Sequence, residues 1–305
     1  MKQSHFSAAD LACPDCRGRL DAGLRCRDCK RRFPRKQGLP MLLPSSLPED
    51  MKLSIEAWDR EWATLKGAEL KRRWDEYTHD YLDDTLAQLL DGITPKSHPR
   101  YLEIGCGPCF LGEALARRGY DVAGVECCVE ALKVANEVHR KDKRKPFFVG
   151  GDLNHLPLRD DSVDFLYGGG VIEHFDDTLG AVKELARVLR KGGRSFNTVP
   201  YFSIASLTYR QLWGNIPDLP LLKPIFEFIH MRLLGGKHMK YGYEKSFTAA
   251  KMRRIHLEAG FSRVEIYRFE VFLPLYFMPG PLKGLARALT RFRPFWPMIA
   301  VVATK

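Results

Sequence analysis

The apolar positions of this chain change period several times along its length. Beyond Pro99, short β-branched and aromatic runs alternate with segments of helical spacing. The runs predict strands near residues 100–104, 121–126, 147–149, 163–167 and 194–199. Between the last two, Leu179, Val182, Leu185 and Leu189 fall on one helical stripe, with Arg190 and Lys191 as a cationic last turn and glycines as the stop. A further helix is expected over 248–259, ending at Gly260, followed by strands over 261–269 and 298–303. Such alternation builds a parallel sheet from strand–helix–strand units, an α/β fold. Upstream, residues 44–50 read as a linker, and 53–90 as two helices broken near Gly67 whose Trp58, Trp62, Trp74, Tyr77 and Tyr81 are packing residues.

Cysteine spacing adds a second element. Cys13-Pro-Asp-Cys16 and Cys26-Arg-Asp-Cys29 place two tight knuckles across a short hairpin, the arrangement that tetrahedral zinc requires. The opening residues lack an apolar export signal, and no apolar run approaches the roughly 20 residues of a membrane span, so a cytoplasmic, thiol-reducing setting is expected. Cys106, Cys109, Cys127 and Cys128 follow the first two strands and read as buried thiols rather than as a second metal centre. The 305 residues, 45% hydrophobic and 28% charged, suffice for one large domain with a small appendage. A net charge of +11 admits RNA as a partner, but ten Lys or Arg against four Asp lie in residues 1–40, where four zinc-bound thiolates would offset part of the excess.

The stretch Glu103-Ile-Gly105-Cys106-Gly107-Pro-Cys109 ends a strand and opens a helix, where a doubly wound sheet binds a nucleotide-like ligand. Glu126, at the end of the next strand, is placed to accept from two ribose hydroxyls. The spacing Gly105, Gly107, Gly112 is not that of a dinucleotide turn. Glu103 would repel a pyrophosphate, yet it suits a ligand that carries an ammonium and a sulfonium.

Over residues 99–200 these features resemble the Rossmann-like (class I) S-adenosylmethionine-dependent methyltransferases. Glu103, Gly105 and Gly107 match the first motif and Glu126 the ribose-binding acid. Gly151-Asp152-Leu153 matches the segment whose Asp holds the adenine amino group, and Val171-Ile-Glu-His174-Phe175 the segment lining the methyl-donor end. The resemblance implies a seven-stranded sheet with an antiparallel last strand, and S-adenosylmethionine as cofactor. Cys109 stands where the family has a third glycine. Residues 10–44 resemble the small zinc-ribbon methyltransferase-activator family, with Gln37 in place of an acid before Gly38; this implies a structural zinc and a ribbon that supports the catalytic domain in cis. The organisation read from this is ribbon and linker 1–48, helical extension 49–98, and methyltransferase domain 99–305.

His174 is the first candidate for a general base, with His230, His238, Tyr241 and Glu244 behind it. An insertion over 200–246 is strongly apolar, which suits a small or lipid-like methyl acceptor. RNA is the second reading, because ribosomal RNA methyltransferases also carry an N-terminal ribbon, and here Arg31 and Arg32 are the residues to test. A non-catalytic scaffold is disfavoured by the complete cofactor set. Residues 281–293 pattern as a basic amphipathic helix, fit for peripheral membrane contact or for covering the sheet.

Overall fold

The computed structural model describes residues 5–47, 49–64, 69–70, 72, 99–141, 145–237, 239, 242–269, 284–285 and 288–305. The chain divides into two compact units, one of residues 1–168, 183–195 and 305, the other of 169–182 and 196–304.

The first unit holds strands β1 (Arg35–Lys36), β2 (Leu39–Leu42), β3 (Arg100–Ile104), β4 (Asp121–Glu126), β5 (Phe147–Gly151), β6 (Val163–Gly169) and the start of β7 (Leu189–Pro200), in the order β1-β2-β5-β4-β3-β6-β7. Its helices are α1 (Glu49–Thr64), α2 (Phe110–Arg117), α3 (Val129–Val138) and the end of α4 (Thr178–Val188). Strands β3 and β4 are buried at every position, as in a parallel sheet covered on both faces. The register sets Ile104 beside Val125 and Glu126 beside Gly150, so the carboxyl ends of β3, β4 and β5 lie in a row.

The cysteine-bearing segment does not stand apart as a bead on a linker. Its strand β2 pairs in parallel with β5, Met41 against Gly150 and Leu42 against Gly151, and so lengthens the sheet. Gly150 permits this approach: a Cβ there would overlap the Met41 thioether and lie 3.2 Å from its Cα. Ala12 N donates to Pro157 O (3.1 Å) and Arg159 N to Asp10 O (3.0 Å). Arg100 pairs with Asp10 at 2.8 Å and covers the Phe6 ring at 3.9 Å. Buried Glu184 accepts from Arg17 (2.9 Å), from Leu156 N (3.1 Å) and from Arg187, whose guanidinium also donates to the carbonyls of Leu156 and Leu158.

The second unit contains the end of β7, then β8 (Asn215–Pro217), β9 (Glu244–Ser246), β10 (Arg263–Phe269) and β11 (Met298–Thr304). Here β7, β11 and β10 follow one another, and β10 runs antiparallel to β11 from Arg263↔Thr304 to Phe269↔Met298. Strands β8 and β9 form a separate parallel pair. The helices are α5 (Ile204–Leu207), α6 (Lys223–Glu227), which continues as π-helical turns over Phe228–Leu233, and α7 (Ala249–Glu258), capped by Thr248. The α/β class and the antiparallel end of the sheet are those expected from the sequence.

One expectation is corrected. Helix α4 stops at Val188, and Leu189, Arg190 and Lys191 belong to β7 instead of a last helical turn. Arg190 is drawn into the strand by both oxygens of Asp164, each at 3.0 Å, and Leu189 is buried there. Gly192 serves a left-handed position (φ 77°) that donates to Lys305 O, rather than a helix stop. Trp74, Tyr77, Tyr81 and most of the proposed second extension helix lie outside the described residues, although Glu69, Leu70 and Arg72 are helical; 281–283 and 286–287 also lie outside them, and Gly284–Leu285 and Ala288–Leu289 are helical. No helix among the described residues is long and apolar enough to cross a membrane.

Because β2 approaches β5 through Gly150, Gly150→Val should cost about 2–4 kcal/mol in urea unfolding. Adding Met41→Ala should recover part of that loss.

Candidate active site

The turn after β3 is built from left-handed residues. Gly105 (φ 52°), Gly107 (φ 47°) and Cys109 (φ 57°) alternate with ordinary ones, and α2 begins immediately afterwards. A non-glycine residue in this region costs on the order of 1 kcal/mol. Cys109 is held there by its N–H on Cys106 O (2.7 Å), by the His139 ring on its carbonyl (3.0 Å) and by its thiol directed at Glu103 (3.5 Å).

Glu103 is buried within the turn. Its Oε2 accepts from Gly112 N (2.8 Å) and Tyr101 OH (3.0 Å), and burial outweighs these bonds to raise its pKa to about 7. Glu126 joins two turns: Oε2 accepts from Gly107 N (3.1 Å) and Oε1 from Cys128 N (3.0 Å). Helix α1 covers this end of the sheet. A Cβ on Gly107 would meet the Trp62 ring at 3.1 Å, and Asp59 accepts from Glu130 N (3.0 Å) at the start of α3. Asp152 follows β5; its Oδ2 meets His155 Nδ1 at 3.0 Å, while its Oδ1 is buried without a partner. Leu153 beside it is buried. Glu103, Gly105, Gly107, Glu126, Asp152 and Leu153 thus gather on the carboxyl ends of three adjacent strands, where open α/β sheets bind ligands. Burial raises the pKa values of the Cys106 and Cys109 thiols beside them, and Cys127 and Cys128 bring their sulfurs to 3.8 Å.

The four N-terminal cysteines converge. Cys13 and Cys29 sulfurs are 3.7 Å apart, those of Cys16 and Cys26 3.5 Å, and all four lie within 4.8 Å of one another. Zinc–sulfur bonds of about 2.3 Å at tetrahedral angles set sulfurs about 3.8 Å apart, so the donor set fits that ion. Each knuckle closes alike, Arg17 N on Cys13 O (2.7 Å) and Lys30 N on Cys26 O (3.1 Å). Arg31, one of the arginines considered for RNA, forms an ion pair with Asp15 and covers the Phe33 ring at 4.7 Å. With a bond from Ser45 N, Arg31 holds the Asp15 pKa below its usual value against the opposing effect of burial.

In the second unit His174 lies in a short 3-10 turn, its Nδ1 2.7 Å from Tyr243 O. A carbonyl only accepts, so the proton sits on Nδ1 and the Nε2 of the neutral ring keeps a lone pair. Beside it Glu173 is buried, its Oε2 without a partner; burial and the nearby Glu244 carboxylate push its pKa well up, opposed by Arg210. Glu244 accepts from Arg210 (3.1 Å) and Asn215 (2.7 Å). Arg210 Nε, Asn215 Oδ1 and Ser246 Oγ are likewise buried without partners. Of the weaker candidates, His230 bonds Gln211 at 2.7 Å, and His238 and Tyr241 lie outside the described residues. Glu173 was legible as an acid inside the apolar run Val171–Phe175. Arg210 and Asn215 carried no such signal, because they meet Glu244 only through the β8–β9 pairing.

Residues 102–196 match the family model described as a methyltransferase domain. Over that stretch, about a third of its length, the chain is similar to a methyltransferase domain. It is 35% identical over 111 residues to the biotin biosynthesis bifunctional protein BioHC of Cellvibrio japonicus, covering 36% of this chain and 22% of that protein. It is 27% identical over 139 residues to the ubiquinone biosynthesis O-methyltransferase of Paracidovorax citrulli, covering 43% and 58%. The chain therefore spans less than two thirds of either relative. Among solved structures, a chain of the Haloferax volcanii complex containing the Trm112 methyltransferase activator superposes with a TM-score of 0.53 at 18% identity, over 82% of this chain and 95% of that one. This likeness establishes the fold of the methyltransferase domain.

Glu103 keeps its proton in the folded protein up to about pH 7, but loses it near pH 4.3 when unfolded. Its contribution to stability is therefore fully present below pH 4.3 and is lost as pH rises through 7. Glu103→Gln should raise the unfolding free energy at pH 8 by about 1–3 kcal/mol and change it little at pH 4, in denaturant titrations of ligand-free protein.

Proposed function

We propose that this protein is an S-adenosylmethionine-dependent methyltransferase acting on a small or lipid-like acceptor, with a structural zinc in its N-terminal ribbon. The observation that carries the reading is Asp152 Oδ1, a buried acceptor lacking a donor at the end of β5, where an adenine amino group would supply one. Glu126 would accept from the ribose hydroxyls with the lone pairs left after its two backbone bonds, and Glu103 would face the cationic methionine end. The cofactor, when bound, supplies a methyl group on a sulfonium, already a good leaving group.

The chain's own residues then have limited tasks. Glu103 ionises when a cation comes near it, which ties binding to pH. Trp62 over the glycine turn helps to exclude water from that end of the sheet. In the second unit, Nε2 of His174 accepts the acceptor's proton while Tyr243 O fixes the ring. Glu173, whose Oε2 is buried without a partner, is placed to hydrogen-bond a polar group of the acceptor. The apolar composition of 200–246 supports an acceptor with an apolar body, a choice that fits the ubiquinone biosynthesis relative better than RNA. The pairing of Arg31 with Asp15 removes one of the cations on which the RNA reading leaned.

Calorimetry should find one S-adenosylmethionine site per chain, at least tenfold weaker in Asp152→Ala and tighter at pH 8 than at pH 6. His174→Ala should retain that affinity and lose most methyl transfer to an extracted lipid or small-molecule fraction. Unaltered binding in both Asp152→Ala and Glu126→Ala would refute the assignment.

For the ribbon, metal analysis should give one zinc per chain. Cys16→Ser with Cys29→Ser should remove it and lower both the melting temperature and the cofactor affinity, since β2 is bonded to the strand that carries Asp152.

A further inference from the structure

The insertion in the second unit presents a face that the methyl-transfer chemistry does not use. Leu212, Leu221, Ile225, Phe228, Met231 and Leu233 are all exposed, Leu221 to 83% and Phe228 to 61%. Along α6 and its π-helical continuation, Ile225, Phe228 and Met231 recur every third residue on the open side, while His230 is buried and Phe226 and Ile229 are half-buried. Monomeric proteins rarely leave such a row in water.

The charges of the same segment are sorted. Between residues 204 and 237 the acids are Asp218, which is buried, and Glu227, which is half-buried. Asp218 is buried against Lys251 at 2.8 Å, and Glu227 accepts from Tyr243 OH at 2.6 Å. The exposed charges are cationic, Arg232 and Lys237, at the end where the apolar row stops. This face is thus apolar and, at its 232–237 end, positive, while its carboxylates are paired: Glu227 with Tyr243, and the exposed Asp176 with Lys223 (2.7 Å) at the start of α6. A surface evolved only for solubility mixes both signs, and a protein interface adds a polar rim of directional hydrogen bonds. A convex helix with protruding leucine, isoleucine, phenylalanine and methionine needs neither register nor a shaped partner if it sinks into a fluid acyl boundary beneath anionic headgroups.

We propose that the exposed face of residues 212–237 docks this protein on an anionic lipid bilayer, with Leu221, Ile225, Phe228 and Met231 entering the headgroup–acyl boundary and Arg232 and Lys237 meeting lipid phosphates. The inference is independent of which acceptor is methylated, and of the cofactor site.

The test is co-sedimentation of the full chain with vesicles of equimolar phosphatidylglycerol and phosphatidylcholine, and with pure phosphatidylcholine, at 50 and 300 mM salt. The parent should pellet with the anionic vesicles and not with the neutral ones. Leu221→Ser with Phe228→Ser should reduce partitioning at least tenfold at both salt concentrations, with unchanged melting temperature because both side chains are exposed. Arg232→Glu with Lys237→Glu should reduce it and flatten its salt dependence. Absence of pelleting at 50 mM salt overturns the proposal. So does loss on charge reversal alone with the serine variant binding as the parent does, which would mean diffuse attraction by the net charge. Sedimentation equilibrium that finds a dimer broken by the serine pair, without vesicle binding, would reassign the face to a second copy of this chain.

Discussion

The pairing of β2 with β5 is the contact on which the first unit depends. It turns a small four-cysteine hairpin, too short to bury a core of its own, into the edge of a larger sheet. The bond is possible because Gly150 has no side chain where Met41 crosses it. Next to that contact, the segment from Asp152 to Arg159 is held from the ribbon side by Ala12 and Asp10 and from the helix side by Glu184 and Arg187. A loop fixed at so many points loses little further entropy when it orders around a ligand.

The carboxyl end of the first unit's sheet is organised by carboxylates in unlike surroundings. Glu126 accepts from two backbone N–H groups, one on each oxygen, whereas burial of Glu103 raises its pKa to about 7. An enclosed acid of this kind destabilises the empty protein at alkaline pH and is relieved by a cation. In the second unit, burial and the neighbouring Glu244 carboxylate likewise push the Glu173 pKa upwards.

The two units also differ in how they treat exposed surface. In the first, cations such as Arg17, Arg31 and Arg100 are absorbed into ion pairs that fasten the ribbon. In the second, Asp218 is buried and Glu227 half-buried in hydrogen bonds, while apolar side chains with Arg232 and Lys237 are exposed. The net charge of +11 is therefore no uniform coat.

The sequence by itself determined the positions of β3 to β6, β10 and β11, the glycine turn, the acids at strand ends and the four-cysteine constellation, because each depends on residues close together in the chain, where periodicity and spacing are direct consequences of backbone geometry. It misplaced the end of α4, since the pull of Asp164 on Arg190 comes from 26 residues away and outweighs a local helix-stop signal. Tertiary structure alone decided that the ribbon joins the sheet, that Trp62 lies over Gly107, and that Arg210, Asn215 and Glu244 share one buried cluster. Those contacts bring together residues separated by tens of positions, and pattern along a chain holds no record of which distant segments will touch.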